Sequence, residues 1–231
     1  MKKLILIILF SSGLFSPKLT AQDDRKNIVT LSVMSATMQP PRWTVGYIHK
    51  INERYWLGAE IGYGSYQTFN LKDRPKYKYN RDYELFEIRP EFYVNINYGG
   101  KVKHLISAEL FYINHSDRLE NGQFYETKKN NWDENHNIYY TYDFADYDRK
   151  KYGLNINYSP VFTLFKGVTL MPKAGIGIKH RNINYSNGVN LQEAEDASSG
   201  CTILCTDNIY EQNGSDTNLN LNLNFRVAYQ F

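Results

Sequence analysis

Apolar and polar residues alternate through segment after segment of this chain, at the period of two that marks a strand with two chemically different faces. The strictest case is the last. In NLNLNLNFRVAYQF, Leu219, Leu221, Leu223, Phe225, Val227, Tyr229 and Phe231 share one face, opposite Asn218, Asn220, Asn222, Asn224, Arg226, Ala228 and Gln230. The same reading predicts eight strands, at residues 27–37, 43–51, 55–66, 83–97, 104–114, 152–163, 168–184 and 218–231. The fourth, YELFEIRPEFYVNIN, sets Phe86, Ile88, Pro90, Phe92, Val94 and Ile96 against Glu87, Arg89, Glu91 and Tyr93. Pro90 removes a ladder donor there, and a bulge is expected at it.

The connections alternate as well. NER, YGGKVK and LFKGV are short turns, while QTFNLKDRPKYKYNRD, the stretch HSDRLENGQFYETKKNNWDENHNIYYTYDFADYDRKK and residues 185–216 are long; only MQPPR breaks the rhythm. Short turns at one end and long loops at the other are the plan of an up-and-down antiparallel barrel. The predicted fold is therefore all-β: an eight-stranded antiparallel up-and-down transmembrane β-barrel with short periplasmic turns and longer extracellular loops.

Alternation alone does not say which face is inside, since a soluble lipocalin-like barrel with an apolar pocket carries the same pattern reversed. Three features choose. Gly58, Gly62, Gly64, Gly175 and Gly177 fall on the polar face, where a narrow barrel needs small inward residues. That face also carries both signs of charge: Glu60, Glu87, Glu91 and Glu109 with Arg89, Lys173, Lys179, Arg181 and Arg226. These are predicted to pair across the lumen, because a lipid-facing Arg or Lys at the midplane costs roughly 2–4 kcal/mol. Aromatic residues gather where strands would cross two interfaces, with Tyr55, Tyr98, Phe162, Phe165, Tyr229 and Phe231 near the short turns. Trp43, Tyr63, Phe86, Tyr112 and Tyr152 lie toward the long loops.

The N-terminus changes what the charge balance means. MKKLILIILFSSGLFSPKLTAQDD reads as a secretory signal, basic then apolar then small, with cleavage expected near Ala21; domains are then residues 1–21 and a single barrel, 22–231. The full chain has 27 basic and 24 acidic side chains, but Lys2, Lys3 and Lys18 leave with the signal, giving 24 of each. A formally neutral mature chain offers no case for nucleic acid. Twenty Tyr and 12 Phe mark a β-rich, aromatic composition.

A terminal strand of this kind, with Val227, Tyr229 and Phe231 at alternate positions and Phe231 last, resembles the signal by which the outer-membrane assembly machinery recognises its clients. The chain after residue 21 resembles the small eight-stranded outer-membrane barrels of the OmpA/OmpX type. The resemblance implies the outer membrane of a Gram-negative-type bacterium. Lipid and lipopolysaccharide would surround the barrel, and the barrel-assembly machinery would be a transient partner.

An eight-stranded barrel is just wide enough for its side chains to fill it, so a wide pore is not expected. The enzymatic alternative, a lipid A-modifying barrel, would rest on His180 and Ser186 with Glu193 or Glu195. Six residues of strand separate His180 from Ser186, roughly 20 Å, beyond the reach of a Ser–His pair; no catalytic residue is assigned. In the long loop, Phe124, Tyr125, Trp132, Tyr139, Tyr140 and Tyr142 are either contacts for an extracellular protein or glycan, or aromatics packing across strands that continue above the membrane. The second is preferred. Asp143, Asp146 and Asp148 lack the spacing of a calcium loop. Cys201 and Cys205 are close enough in sequence for a small disulfide loop in an exported protein. No cofactor or metal is expected, and the function read is that of a non-enzymatic barrel, structural or binding through its loops.

Overall fold

The computed structural model describes residues 26–37, 40–69, 82–97, 102–129, 135–165, 167–194 and 212–231. Residues 1–25, which include the expected signal segment, and Tyr98, Trp132, Glu195, Cys201 and Cys205 lie outside the described residues. The described residues form nine strands: β1 (Asn27–Ser32), β2 (Trp43–Lys50), β3 (Tyr55–Ser65), β4 (Glu84–Asn95), β5 (Lys103–Lys129), β6 (Asn135–Phe165), β7 (Val168–Val189), β8 (Gln192–Ala194) and β9 (Gln212–Gln230). Two single-turn helices, α1 (Met34–Thr37) and α2 (Tyr66–Phe69), follow β1 and β3.

Eight of these strands form a closed antiparallel barrel. Each pairs with its sequence neighbour from β1 to β7, β7 pairs with β9, and β9 returns to β1 through Ile28↔Gln230 to Ser32↔Arg226. Closure leaves the barrel wall without an unpaired edge. The termini meet at the end with the short turns, where Asn27 and Phe231 exchange backbone hydrogen bonds of 3.3 and 2.9 Å. Gly167, at φ 85°, makes the tight turn from β6 to β7 that a side-chain-bearing residue would strain.

The strands differ in length far more than the alternation suggested. β1 stops at Ser32, where residues 33–37 had been expected to continue it and α1 turns the chain instead. β5, β6, β7 and β9 run well past the predicted ends, and much of the expected long loop is strand. Two of these, β5 and β6, continue for 27 and 31 residues and pair with each other from Lys103↔Val161 to Lys129↔Asn135. Pro90 makes no bulge. The β4–β5 register is the same on both sides of it, from Ile88↔Tyr112 to Glu91↔Glu109, and only the ladder pairs at Arg89 and Pro90 drop out. The β6–β7 register shifts instead, between Phe144 and Asp146 and between Thr163 and Phe165.

Outward positions carry the apolar set: Val45, Leu57, Ile61, Leu110, Ile156, Ile176 and Leu221 are all more than half exposed, Leu221 most at 78%. Aromatic residues border this band on both sides. Trp43↔Tyr63↔Phe86 and Tyr112↔Tyr152 stand in register at one rim, and Tyr55, Phe162, Phe165, Tyr229 and Phe231 face outward at the other. From Tyr152 to Phe162, ten steps of β6 rise roughly 33 Å along the strand, or about 25 Å along the axis at a tilt near 40°. That equals the height of an outward apolar band that a lipid bilayer covers. No helix among the described residues is long and apolar enough to cross a membrane.

Candidate functional site

The inside of the barrel is built in layers. At the turn end the inner face is apolar, where Ile28, Ile48, Trp56, Tyr93, Leu105, Val161, Met171 and Ala228 form one buried cluster. This departs from the expectation of a polar inner face throughout. Trp56 lies under two cations, with Lys50 Nζ 5.0 Å and Lys103 Nζ 5.8 Å from its ring.

Above that seal lies an ionic layer. Arg226, fully buried, binds Glu60 and reaches Glu91 at 2.8 Å and the Tyr93 hydroxyl at 3.0 Å. Lys173 donates to Glu91 at 3.1 Å and also to Glu109. Arg89 Nη1 donates to Glu109 at 2.8 Å and its Nε to Glu87, which Arg42 Nε meets at 2.5 Å on the other side. Four carboxylates thus face four cations, Arg42, Arg89, Lys173 and Arg226. Each of these carboxylates is engaged by a cation.

Asparagine completes the layer. Asn155 and Asn157 of β6 donate to Glu109 at 2.8 Å and to Glu91 at 3.3 Å. Across β7, Asn220 and Asn222 of β9 donate to the Asn155 and Asn157 side-chain oxygens, each at 2.8 Å. The strand between them carries Gly177 and Gly175 at the crossing positions, in register with Asn155/Asn220 and Asn157/Asn222. A Cβ at either glycine would overlap the β6 backbone and the asparagine side chain. The amide bridges therefore require glycine at both places.

Of the nine charges predicted to share a lumen network, the structure brings seven together: Glu60, Glu87, Arg89, Glu91, Glu109, Lys173 and Arg226. Lys179 and Arg181 are the exceptions. They point inward but sit higher, where Arg181 pairs with Asp216 at 3.4 Å and Gln212 at 2.6 Å. Arg42, which does join, lies in the β1–β2 connection, where alternation assigns no face. The asparagine bridges were equally hidden, since a sequence shows which strand faces hold amides but not which amides cross a neighbouring strand.

Beyond the barrel the four long strands close on themselves a second time. β5 meets β9 in a short parallel pairing, Tyr125↔Gln212 and Glu126↔Asn213, with Asn213 Nδ2 donating to Glu126 at 2.7 Å. Leu119, Phe124, Tyr142, Ala145, Tyr147, Ile183 and Tyr185 fill the resulting tube. Phe124 stacks on Tyr185 at 4.4 Å and on Tyr140 at 5.3 Å, and Tyr147 meets Tyr185 edge-on at 5.3 Å. Phe124 and Tyr142 are thus core residues of the extension and offer no contact surface. Burial first, then Tyr147 and Asp117, push the Tyr142 hydroxyl's pKa up. Tyr125, Tyr139 and Tyr140 are partly exposed, the first two 5.7 Å apart across the β5–β6 pair. β8 extends this sheet by pairing with β6 at Tyr139↔Ala194.

The remaining candidates do not assemble. His180 Nδ1 lies 2.9 Å from Thr217 Oγ1 and its ring 5.1 Å from Tyr152, whereas Ser186 stands opposite Asp146. Asp143 and Asp146 accept from Asn190 and Asn187 at 2.5 and 2.7 Å, and no cluster of metal-ligating side chains occurs among the described residues. Val227, Tyr229 and Phe231 all face outward at the turn end, the two rings stacked 6.4 Å apart.

No family model matches the chain, and no curated protein does. Among solved structures, it is similar to the crystal structure of a major outer membrane protein from Thermus thermophilus, at 10% identity and a TM-score of 0.43. The match covers 89% of this chain and 98% of that one. The strand pairings by themselves define the architecture as a closed eight-stranded antiparallel barrel.

Proposed function

We propose that this chain is a non-enzymatic barrel of an outer membrane, its lumen blocked by its own side chains, with the four-strand extension carried into the medium. The observation that carries this reading is the division of the wall: apolar residues with aromatic borders outside, a balanced ionic layer inside. A lipocalin-like barrel would show the reverse. Exposed apolar surface on this scale requires a cover, and lipid is the cover that matches its height.

The extension supports a structural or binding role at the cell surface. Its strands are paired and its aromatics packed, so it acts as a stiff stalk that holds the β5–β6 connection away from the bilayer. A protein or glycan ligand would meet the far part of the extension, where Tyr125, Tyr139 and Tyr140 are partly exposed. Excising residues 116–148 would remove two walls of the tube, so a binding phenotype is better tested by shortening the β5–β6 connection alone.

Two results are expected. Planar bilayers containing the folded protein show no large, stable conductance; a sustained open channel would overturn the blocked lumen. Leu221→Arg, on the outward band, lowers the stability of bilayer-inserted protein by roughly 2–4 kcal/mol in urea unfolding. A neutral outcome in lipid would mean that this face meets water.

A further inference from the structure

Between the ionic layer and the aromatic tube, the inner wall of β6 and β7 carries Arg149, Lys151, Lys179 and Arg181. Lys151 lies directly opposite Arg181 in the ladder, and Lys179 opposite Gly153, one inward step below. Like charges placed directly across a sheet repel. Asp216 takes Arg181 at 3.4 Å. Of the other groups facing this space, Glu87 is held between Arg42 and Arg89, and His115 has its pKa lowered by burial and then by Arg149 and Arg42. Even with Asp117 of β5 set against Arg149, Lys151 and Lys179 are left, and neither makes an ion pair among the described residues. Lys151 rests 5.5 Å from the Phe111 ring, whose other cation is Arg89 at 5.3 Å. Arg149 Nε is buried and has no hydrogen-bond partner among the described residues.

The ionic layer below is balanced and the tube above is aromatic, so this positive excess belongs to neither. Among the described residues, strand pairing is also interrupted on one side of this space. β1 to β4 end at Ser32, Trp43, Ser65 and Glu84, whereas β5 and β9 rejoin only at Tyr125 and Glu126. Between those levels, residues 117–124 of β5 and 214–224 of β9 lack a strand partner on their facing sides among the described residues. The basic wall stands across from that gap.

We propose that this mouth is a binding site for a phosphoryl group, held by Lys151, Lys179 and Arg149 and admitted between β5 and β9. Its two negative charges would meet the two unpaired lysines, and its oxygens the buried guanidinium. A soluble phosphate ester and a phosphorylated lipid headgroup share this chemistry.

The full mature chain, folded in detergent micelles, would be titrated with inorganic pyrophosphate by calorimetry at fixed ionic strength. In a second arm, lipid A is doped into the micelles. One pyrophosphate per chain, with a raised thermal midpoint, is expected if the source is soluble; saturation by lipid A alone marks a headgroup. The double variant Lys151→Gln/Lys179→Gln should bind at least tenfold more weakly. Lys150→Gln, on the outward face of the same strand, should bind unchanged. The double variant should keep its heat-modifiable gel mobility, because it removes repulsion. Should it fail to fold, the wild-type midpoint shift on replacing chloride with pyrophosphate still decides. No saturable binding in either arm, no such shift, or equal binding by the double variant would overturn the site.

Discussion

Replacing Arg226 with Leu is expected to cost about 3–5 kcal/mol and to remove most of the heat-modifiable band from freshly folded protein. Arg226 is 0% exposed and is the only cation that touches Glu60 among the described residues; it also reaches Glu91 and Tyr93. Without it, the Glu60 carboxylate is buried and uncompensated, which is far worse than having no pair at all. The double variant Glu60→Leu/Arg226→Leu should therefore recover a large part of the loss, because Glu91 still holds Lys173, Ser107 and Tyr93. A double-mutant cycle on urea midpoints measures both steps. If the double variant is no more stable than the single one, the cost lies in lost volume, and the charge argument fails.

Gly177→Val should also be damaging, at roughly 2–4 kcal/mol: about 1–3 from overpacking and about 1 from a broken amide bridge. The added Cβ would overlap the Leu154 carbonyl oxygen and the Asn155 side chain, and backbone gives way less readily than the end of a side chain. Asn155 could then no longer accept from Asn220 across β7. Gly188→Ala is the control, since its Cβ would meet Leu191 at an ordinary 3.5 Å; it should stay within about 0.5 kcal/mol of the parent. Equal effects at both positions, read from the same urea transitions, would remove the bridge from the account.

Both variants act where sequence reading was partly blind, for a reason visible in the strands themselves. Period two fixes parity, and parity was enough to place Glu60, Glu87, Glu91, Glu109, Lys173 and Arg226 on the inner face and Leu221 on the outer. Parity says nothing of height along the axis. Lys179 and Arg181 have the inner parity of Lys173 on the same strand, yet sit above the ionic layer with Asp216. The extension was obscured by a change of parity. In β5 the buried positions run Asp117, Leu119 and then Phe124, and in β6 they run Tyr147, Ala145 and then Tyr142, with the switch at Asn121 (φ 48°) and its partner region. Across such a switch a continuous strand pair loses its alternation and reads as a loop.

The sequence by itself determined that the chain forms paired strands with one apolar and one charged face, joined by short turns at one end. Those are local facts, set by side-chain order and the geometry of an extended backbone. Which charge meets which, why β7 needs glycine beneath the asparagine bridges, and that four strands outgrow the barrel to close an aromatic tube became visible in the folded chain alone. Each depends on register and stagger between strands far apart in sequence, as between Glu60 and Arg226 or Asn155 and Asn220. Closure of the sheet sets those relations all at once, and no single segment encodes them.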